Sequence, residues 1–218
     1  RRVKDRKIMN IKSSHINWGP YVMKTTLPDY IITKLKKEGK KLKPKHSYNK
    51  ALAGHLNHQY KYPVEIQKWF YQETAPYWNA YRQGHCEFHG IENLRIELDT
   101  DDLWVNFMKP GDFNPLHTHG GDYSFVLFLD VPKQLTEEQE KFEGTSHPPG
   151  SLQFEFTQQA IPRYATTGHS AKPKTGEIYI FPAMLQHWVC PFKSKVTRVS
   201  VSGNLRIKNR DKLPHDYF

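Results

Sequence analysis

The chain has 218 residues, 37% hydrophobic and 13% aromatic, and 32 Lys and Arg against 22 Asp and Glu give it a net charge of +10. That length and apolar content suit one folded domain with its own core and exclude a disordered polypeptide. No apolar run approaches the ~18 residues of a membrane span, no signal-like segment is present, and two cysteines, Cys86 and Cys190, fit reduced thiols of a cytoplasmic protein better than a disulfide scaffold.

The charge is unevenly placed. Residues 1–50 hold fifteen Lys or Arg against three acidic residues, with a cluster at Lys34, Lys36, Lys37, Lys40, Lys41, Lys43 and Lys45. Such a cluster is either a solvated face or a site of weak nucleic-acid contact, and the solvated face is preferred. Residues 10–23 read as an edge strand with a turn at Trp18-Gly19-Pro20. Pro28-Asp29 opens a helix to about Lys37, and Gly39 is expected to stop it. Residues 42–62 are polar and irregular, with Leu52, Ala53, Gly54 and Leu56 as buried anchors. A second helix starts at Pro63, carries Val64, Ile66, Trp69, Phe70, Tyr77 and Tyr81 on one stripe, and breaks near Ala75-Pro76. His85, Cys86 and His89 are expected in a connecting loop, and the lack of a second Cys/His pair argues against zinc there.

From residue 91 the pattern turns to β. Residues 93–98 alternate, 103–108 form a strand, and Pro110-Gly111-Asp112 and Asn114-Pro115 are turn chemistry. Residues 122–129 are apolar on both faces, as in a strand covered from both sides. Residues 133–150 read as a loop, either a flexible lid or plain solvent loop. A strand follows at 152–156, then a loop over 163–175 bearing His169; His147 and His169 are loop residues that could line an entrance. Residues 178–181 form a strand ended by Pro182, and residues 185–189 carry His187. After a turn at 191–194, Arg198, Ser200, Ser202 and Asn204 share one face of a last strand while Val199 and Val201 share the other. The whole reads as mainly β with flanking helices: a basic N-terminal extension with supporting helices over residues 1–90 and a β core over 91–218, within a single domain.

Two segments carry the chemistry. In His117-Thr118-His119 a strand-like backbone aims both rings at one point, and His187 closes the set from a neighbouring strand. Imidazoles suit iron, zinc, copper or nickel rather than magnesium or calcium. Arg198 can grip a carboxylate with two parallel hydrogen bonds, and Ser200 can donate a third.

These segments resemble the iron(II)- and 2-oxoglutarate-dependent dioxygenases, in particular a bacterial and phage-borne subfamily. The resemblance rests on Trp104, Asn106, Gly111, Pro115, His117, His119, Ser124, Val126 and Pro132, then on Gly176, Phe181, Pro182, His187, Val189, Pro191, Arg198 and Ser200. It implies a double-stranded β-helix core of two antiparallel sheets. It implies Fe(II), 2-oxoglutarate and O2 as cofactor and cosubstrates. By the same resemblance, Arg198 and Ser200 would meet the far carboxylate of 2-oxoglutarate, with Asn106, Ser124 and Asn204 as further wall residues. The usual carboxylate ligand is replaced by His119, so the metal set is His117, His119 and His187, or Asp122 supplies the carboxylate, or His119-Gly120-Gly121 matches the vacated pattern of iron halogenases. The outcome implied is hydroxylation, with a weak pull toward a peptidyl prolyl or other amino-acid side chain; a metabolite or a nucleobase also fits. If the chain is phage-borne, it would act in the host cytoplasm. The competing readings are a cupin-like three-histidine metalloenzyme that does not use 2-oxoglutarate, a metal-free β-barrel, and a nucleic-acid-binding module using the basic N-terminal region.

Overall fold

A computed structural model describes residues 19–93, 95–156 and 168–213. Among them, ten strands form two antiparallel sheets. The larger runs in the order β1 (Met23–Thr26), β8 (Glu177–Pro182), β5 (Tyr123–Asp130), β10 (Arg198–Ile207), β3 (Leu98–Met108), β2 (Gln59–Lys61). The smaller runs β4 (Asn114–His117), β9 (Gln186–Val189), β6 (Leu152–Glu155), β7 (Gly168–Ala171).

The double-faced apolar run 122–129 becomes β5 in the middle of the large sheet, between β8 and β10. Phe125, Leu127 and Leu129 point outward into a core shared with three helices, α1 (Asp29–Gly39), α2 (Val64–Glu73) and α3 (Ala75–His89). Phe128 points inward, into a second core with Phe154, Tyr179, Phe181 and Leu152 between the sheets. Both faces of the strand are therefore covered, which is why its sequence does not alternate.

The helices depart from the sequence reading at their ends. Gly39 does not stop α1 but lies in its last turn; the absent Cβ would sit 3.0 Å from the Tyr62 hydroxyl, which donates to the Leu35 carbonyl at 2.9 Å. The break between α2 and α3 falls at Thr74, whose hydroxyl donates to the Phe70 carbonyl at 2.7 Å just before Ala75-Pro76. His85, Cys86 and His89 are not in a loop: α3 runs to His89 because nothing ends it before Gly90, which takes the left-handed conformation at φ 66°.

Other boundaries are corrected too. Of the alternating stretch 93–98, residues 93 and 95–97 form no strand, and β3 begins at Leu98. Residues 133–150 open with a helix, α4 (Lys133–Glu140), rather than a loop. Its Leu135 and Gln139, one turn apart, are buried, and the Glu138 carboxylate accepts the backbone N–H groups of Lys193 and Ser194 at 2.9 and 2.7 Å, so this stretch is anchored rather than free to swing. His169 lies on β7 rather than in a loop. The part of the 10–23 strand up to Trp18 and the part of the 163–175 loop up to Thr167 lie outside the described residues.

The lysine cluster is partly used by the fold itself. Lys34 sits 3.8 Å over the Trp69 ring, Lys36 pairs with Asp130 at 3.0 Å, and Lys41 pairs with Glu38 at 2.7 Å. No helix among the described residues is long and apolar enough to cross a membrane.

One glycine of β10 is fixed by packing. A Cβ on Gly203 would lie 2.6 Å from the Tyr71 hydroxyl and 2.8 Å from Phe125. Gly203→Ala is expected to destabilise the fold by about 1–3 kcal/mol through overpacking. Chemical denaturation measures it, and an unchanged midpoint refutes the tight apposition of α2 and β10.

Candidate metal and cosubstrate site

The site lies between the sheets. On β10, Arg198, Ser200 and Ser202 face inward, opposite Met108, Asn106 and Trp104 of β3, and Gln59 of the edge strand β2 sits opposite Asn106. The facing wall comes from β9, where His187 and Val189 share a face, and from β4, where His117 pairs with His187 and Asn114 with Val189. Asn114 and His117 are three positions apart while their partners are two apart. This bulge turns both Asn114 and His117 to the inside. The resulting cavity is lined by the three histidines, Arg198, Asn106, Gln59 and residues of the 52–56 segment.

His119 follows β4 in a loop fixed by its backbone N–H, which donates to the Ala183 carbonyl at 2.9 Å. One nitrogen of each of His117, His119 and His187 lies within 4.8 Å of the others, and Nε2 of His119 is 3.1 Å from Nε2 of His187. Two imidazole nitrogens about 2.1 Å from one ion at a right angle would be about 3 Å apart. The tautomers fit as well: Nδ1 of His117 donates to the Pro115 carbonyl at 2.7 Å and Nδ1 of His187 to the Leu185 carbonyl at 2.8 Å. Each Nε2 lone pair is thereby left for a cation. The donor set present thus fits a transition-metal ion.

Burial keeps the rings neutral. Burial, and then His117, push His119 down to about 4. Burial, and then His117 and His119, push His187 down to about 3, against the Leu185 carbonyl. Burial also lowers His117, against the Pro115 carbonyl. For a group whose folded value is depressed, the unfolded chain takes up the proton first. Stability is therefore complete above about 6.5, the unfolded histidine value, and is lost as pH falls toward about 4. We expect the metal-free protein to lose thermal stability between these limits, and a His187→Gln variant to lose less; equal acid sensitivity would remove His187 as a cause.

Arg198 is 2% exposed. Its Nη1 donates to the Gly150 carbonyl at 2.7 Å, its Nε has no partner, and burial pushes its value down to about 10. Among the described residues no carboxylate pairs with it, although Asp and Glu elsewhere form eight ion pairs. A buried, charged, unpaired guanidinium is costly unless an anion joins it. The site therefore fits a small carboxylate as it fits a metal.

The other sequence-predicted residues fall as follows. Asn106 lines the cavity and accepts from Gln59 Nε2 at 2.9 Å. Ser200 lines it beside Arg198. Ser124, buried, and Asn204, half-buried, pair with each other across β5 and β10 further along and do not line it. Asp122 is not brought to the histidines: its oxygens accept from the Ile207 N–H at 2.7 Å and from Arg210 at 2.8 Å, which ties down the end of β10. This corrects its reading as an alternative carboxylate ligand. His147 and His169 line a separate seam with Lys24 and Tyr179. The sequence reading missed Gln59 and Asn114, and assigned Gly54 only to burial.

Residues 102–204 match the family model described as "Putative 2OG-Fe(II) oxygenase". No curated protein sequence matches the chain. Among solved structures, a Pseudomonas putida prolyl-4-hydroxylase is similar at 18% identity and TM-score 0.50, over 85% of this chain and 91% of that one. The collagen prolyl hydroxylase of Paramecium bursaria Chlorella virus-1, in complex with 2-oxoglutarate, is similar at 18% identity and TM-score 0.51, over 85% and 95%. A truncated form of that viral enzyme reaches TM-score 0.52 at 16% identity, over 91% and 98%. At such identities these likenesses speak to the fold, and they agree with two antiparallel sheets closing into a double-stranded β-helix. The match over residues 102–204, just under half of the chain, together with the fold, supports a 2OG-Fe(II) oxygenase, a class of enzyme that works with Fe(II), 2-oxoglutarate and O2.

Proposed function

We propose that the chain couples oxidative decarboxylation of 2-oxoglutarate to hydroxylation of a substrate C–H bond, with His117, His119 and His187 holding Fe(II) and Arg198 and Ser200 holding the distal carboxylate of the cosubstrate. The observation that carries this reading is the buried, unpaired guanidinium of Arg198 in the same cavity as three convergent imidazoles. A three-histidine enzyme that ignores 2-oxoglutarate would leave that charge without a counterion. The bound metal with its cosubstrates supplies the oxidising power. The chain supplies the rest: neutral imidazoles of fixed tautomer, an anion grip, and walls of Phe154 and Phe181 that keep water from the buried side of His187.

A peptide side chain, prolyl among them, is the substrate class we favour, supported by the prolyl hydroxylases of like fold. The test is to supply Fe(II), O2 and carboxyl-labelled 2-oxoglutarate and follow labelled CO2 and succinate, alone and with prolyl peptides. Slow release alone and faster release with peptide is the expected result. No release in either case refutes the cosubstrate assignment.

A further inference from the structure

The cavity contains a second polar feature that neither a metal nor a carboxylate satisfies. Gln59 is 2% exposed, and its amide is the head of a directional chain: its Nε2 donates to Asn106 Oδ1 at 2.9 Å, and Asn106 Nδ2 donates to Ser202 Oγ at 3.5 Å. That chain leaves Gln59 Oε1 buried without a donor. On the facing wall the bulge in β4 turns Asn114 inward, and its Oδ1 is likewise buried without a donor. Between them passes the segment 52–56, which crosses from β2 of the large sheet to the small one, where His55 pairs with Phe113 and stacks on its ring at 4.5 Å. Gly54 is the point of closest approach. A Cβ there would collide with Asn114 Oδ1 and lie 3.1 Å from Gln59 Nε2, so the two amides converge on the one residue of the strap that has no side chain.

Two buried carbonyl oxygens without donors cost free energy until a donor arrives. 2-Oxoglutarate cannot be that donor, since both of its carboxylates and its ketone only accept. A second cation is poorly suited, because beyond the three histidines that would take the metal the lining contains no Asp or Glu, and its one fixed charge is Arg198. What remains is a neutral group bearing N–H or O–H. Of the two, an amide N–H suits carbonyl acceptors set beside an apolar rim of Leu52, Leu56 and Val189.

We propose that Gln59 and Asn114, held apart by Gly54, form a substrate subsite that accepts hydrogen bonds from a neutral amide N–H and so positions the substrate beside the metal. This rests on the reading of the cavity as the metal and 2-oxoglutarate site.

The experiment uses the full chain loaded with Zn(II), a redox-inert and diamagnetic stand-in, and with ¹³C-labelled 2-oxoglutarate. Side-chain amide signals of Gln59 and Asn114 are assigned by their loss in Gln59→Glu and Asn114→Asp. The loaded protein is then titrated with N-methylacetamide, which has one N–H, and with N,N-dimethylacetamide, which has none. We expect saturable shifts of both amide signals with the first and none with the second. Asn114→Leu should abolish the response seen on Gln59, while Asn114→Asp, which keeps an acceptor, should retain it. Equal response to both amides, or none to either while the 2-oxoglutarate signals report a bound state, overturns the subsite and leaves the cosubstrate reading standing. Failure of 2-oxoglutarate to bind in the same sample overturns both.

Discussion

Replacing Arg198 by Met is expected to separate two properties that one side chain normally couples. The apparent Kd for 2-oxoglutarate should rise at least roughly tenfold and up to about a thousandfold, since each charge-assisted hydrogen bond lost contributes about 1.5–3 kcal/mol. Metal affinity should change little, because Arg198 lies on β10 and the three imidazoles lie on β4, β9 and the loop between β4 and β5. The ligand-free protein should be as stable as the parent or more so: the parent buries a guanidinium whose Nε has no partner and which no carboxylate neutralises, and Met of similar length removes that charge. Thermal melts with and without 2-oxoglutarate read both effects together. The parent should gain stability with ligand concentration, as mass action requires, and the variant should not. A variant that still gains as much as the parent would mean that the anion sits elsewhere.

His187→Ala should cost the protein its iron. The ring is 2% exposed, is held by its own Nδ1–H on the Leu185 carbonyl, and supplies the nitrogen 3.1 Å from that of His119. Even partners outside the ligand set change metal affinity by about 10–100-fold, so loss of one of three ligands should exceed that range. Iron retained after gel filtration and succinate formed from 2-oxoglutarate should both fall to background. Because the residue leaves an imidazole-shaped space between Phe181 and Phe154, millimolar imidazole should restore part of both. Full iron retention without added imidazole would sink the three-histidine assignment. Circular dichroism of the metal-free variant distinguishes this from simple unfolding.

What could be read along the chain was whatever depends on near neighbours. Arg198, Ser200 and Ser202 alternate on one strand, so period-two geometry alone put them on a common face. His117 and His119 do converge, but β4 ends at His117 and it is the loop beyond it, held by the His119 N–H on the Ala183 carbonyl, that brings the second ring in. The run 122–129 declared itself a doubly covered strand by lacking alternation. What could not be read depended on pairings between distant segments. Gln59 reaches the cavity only because a three-residue edge strand docks on β3 opposite Asn106, and Asn114 only because β4 holds one residue more than β9 between the two paired positions. Nothing in QYK or FNP announces either. The helix at 133–140 was missed for a different reason: just two of its eight residues are buried, so it carries almost no apolar stripe, and its anchoring comes from Glu138 meeting backbone N–H groups some fifty-five residues away. Asp122 was an attractive ligand by spacing, yet its carboxylate closes β10 instead.

Both outermost strands of the six-stranded sheet, β1 and β2, come from the first sixty-one residues, ahead of the stretch that matches the oxygenase family. Excising residues 102–204 as a minimal catalytic unit would strip the N-terminal strands from β8 and β3 and leave two rows of backbone amides and carbonyls bare. A polypeptide cut that way has every proposed metal and cosubstrate ligand and two sticky margins, and it should come out of the cell as inclusion bodies rather than as a smaller enzyme. The region that inheritance recognises is thus smaller than the region that can fold.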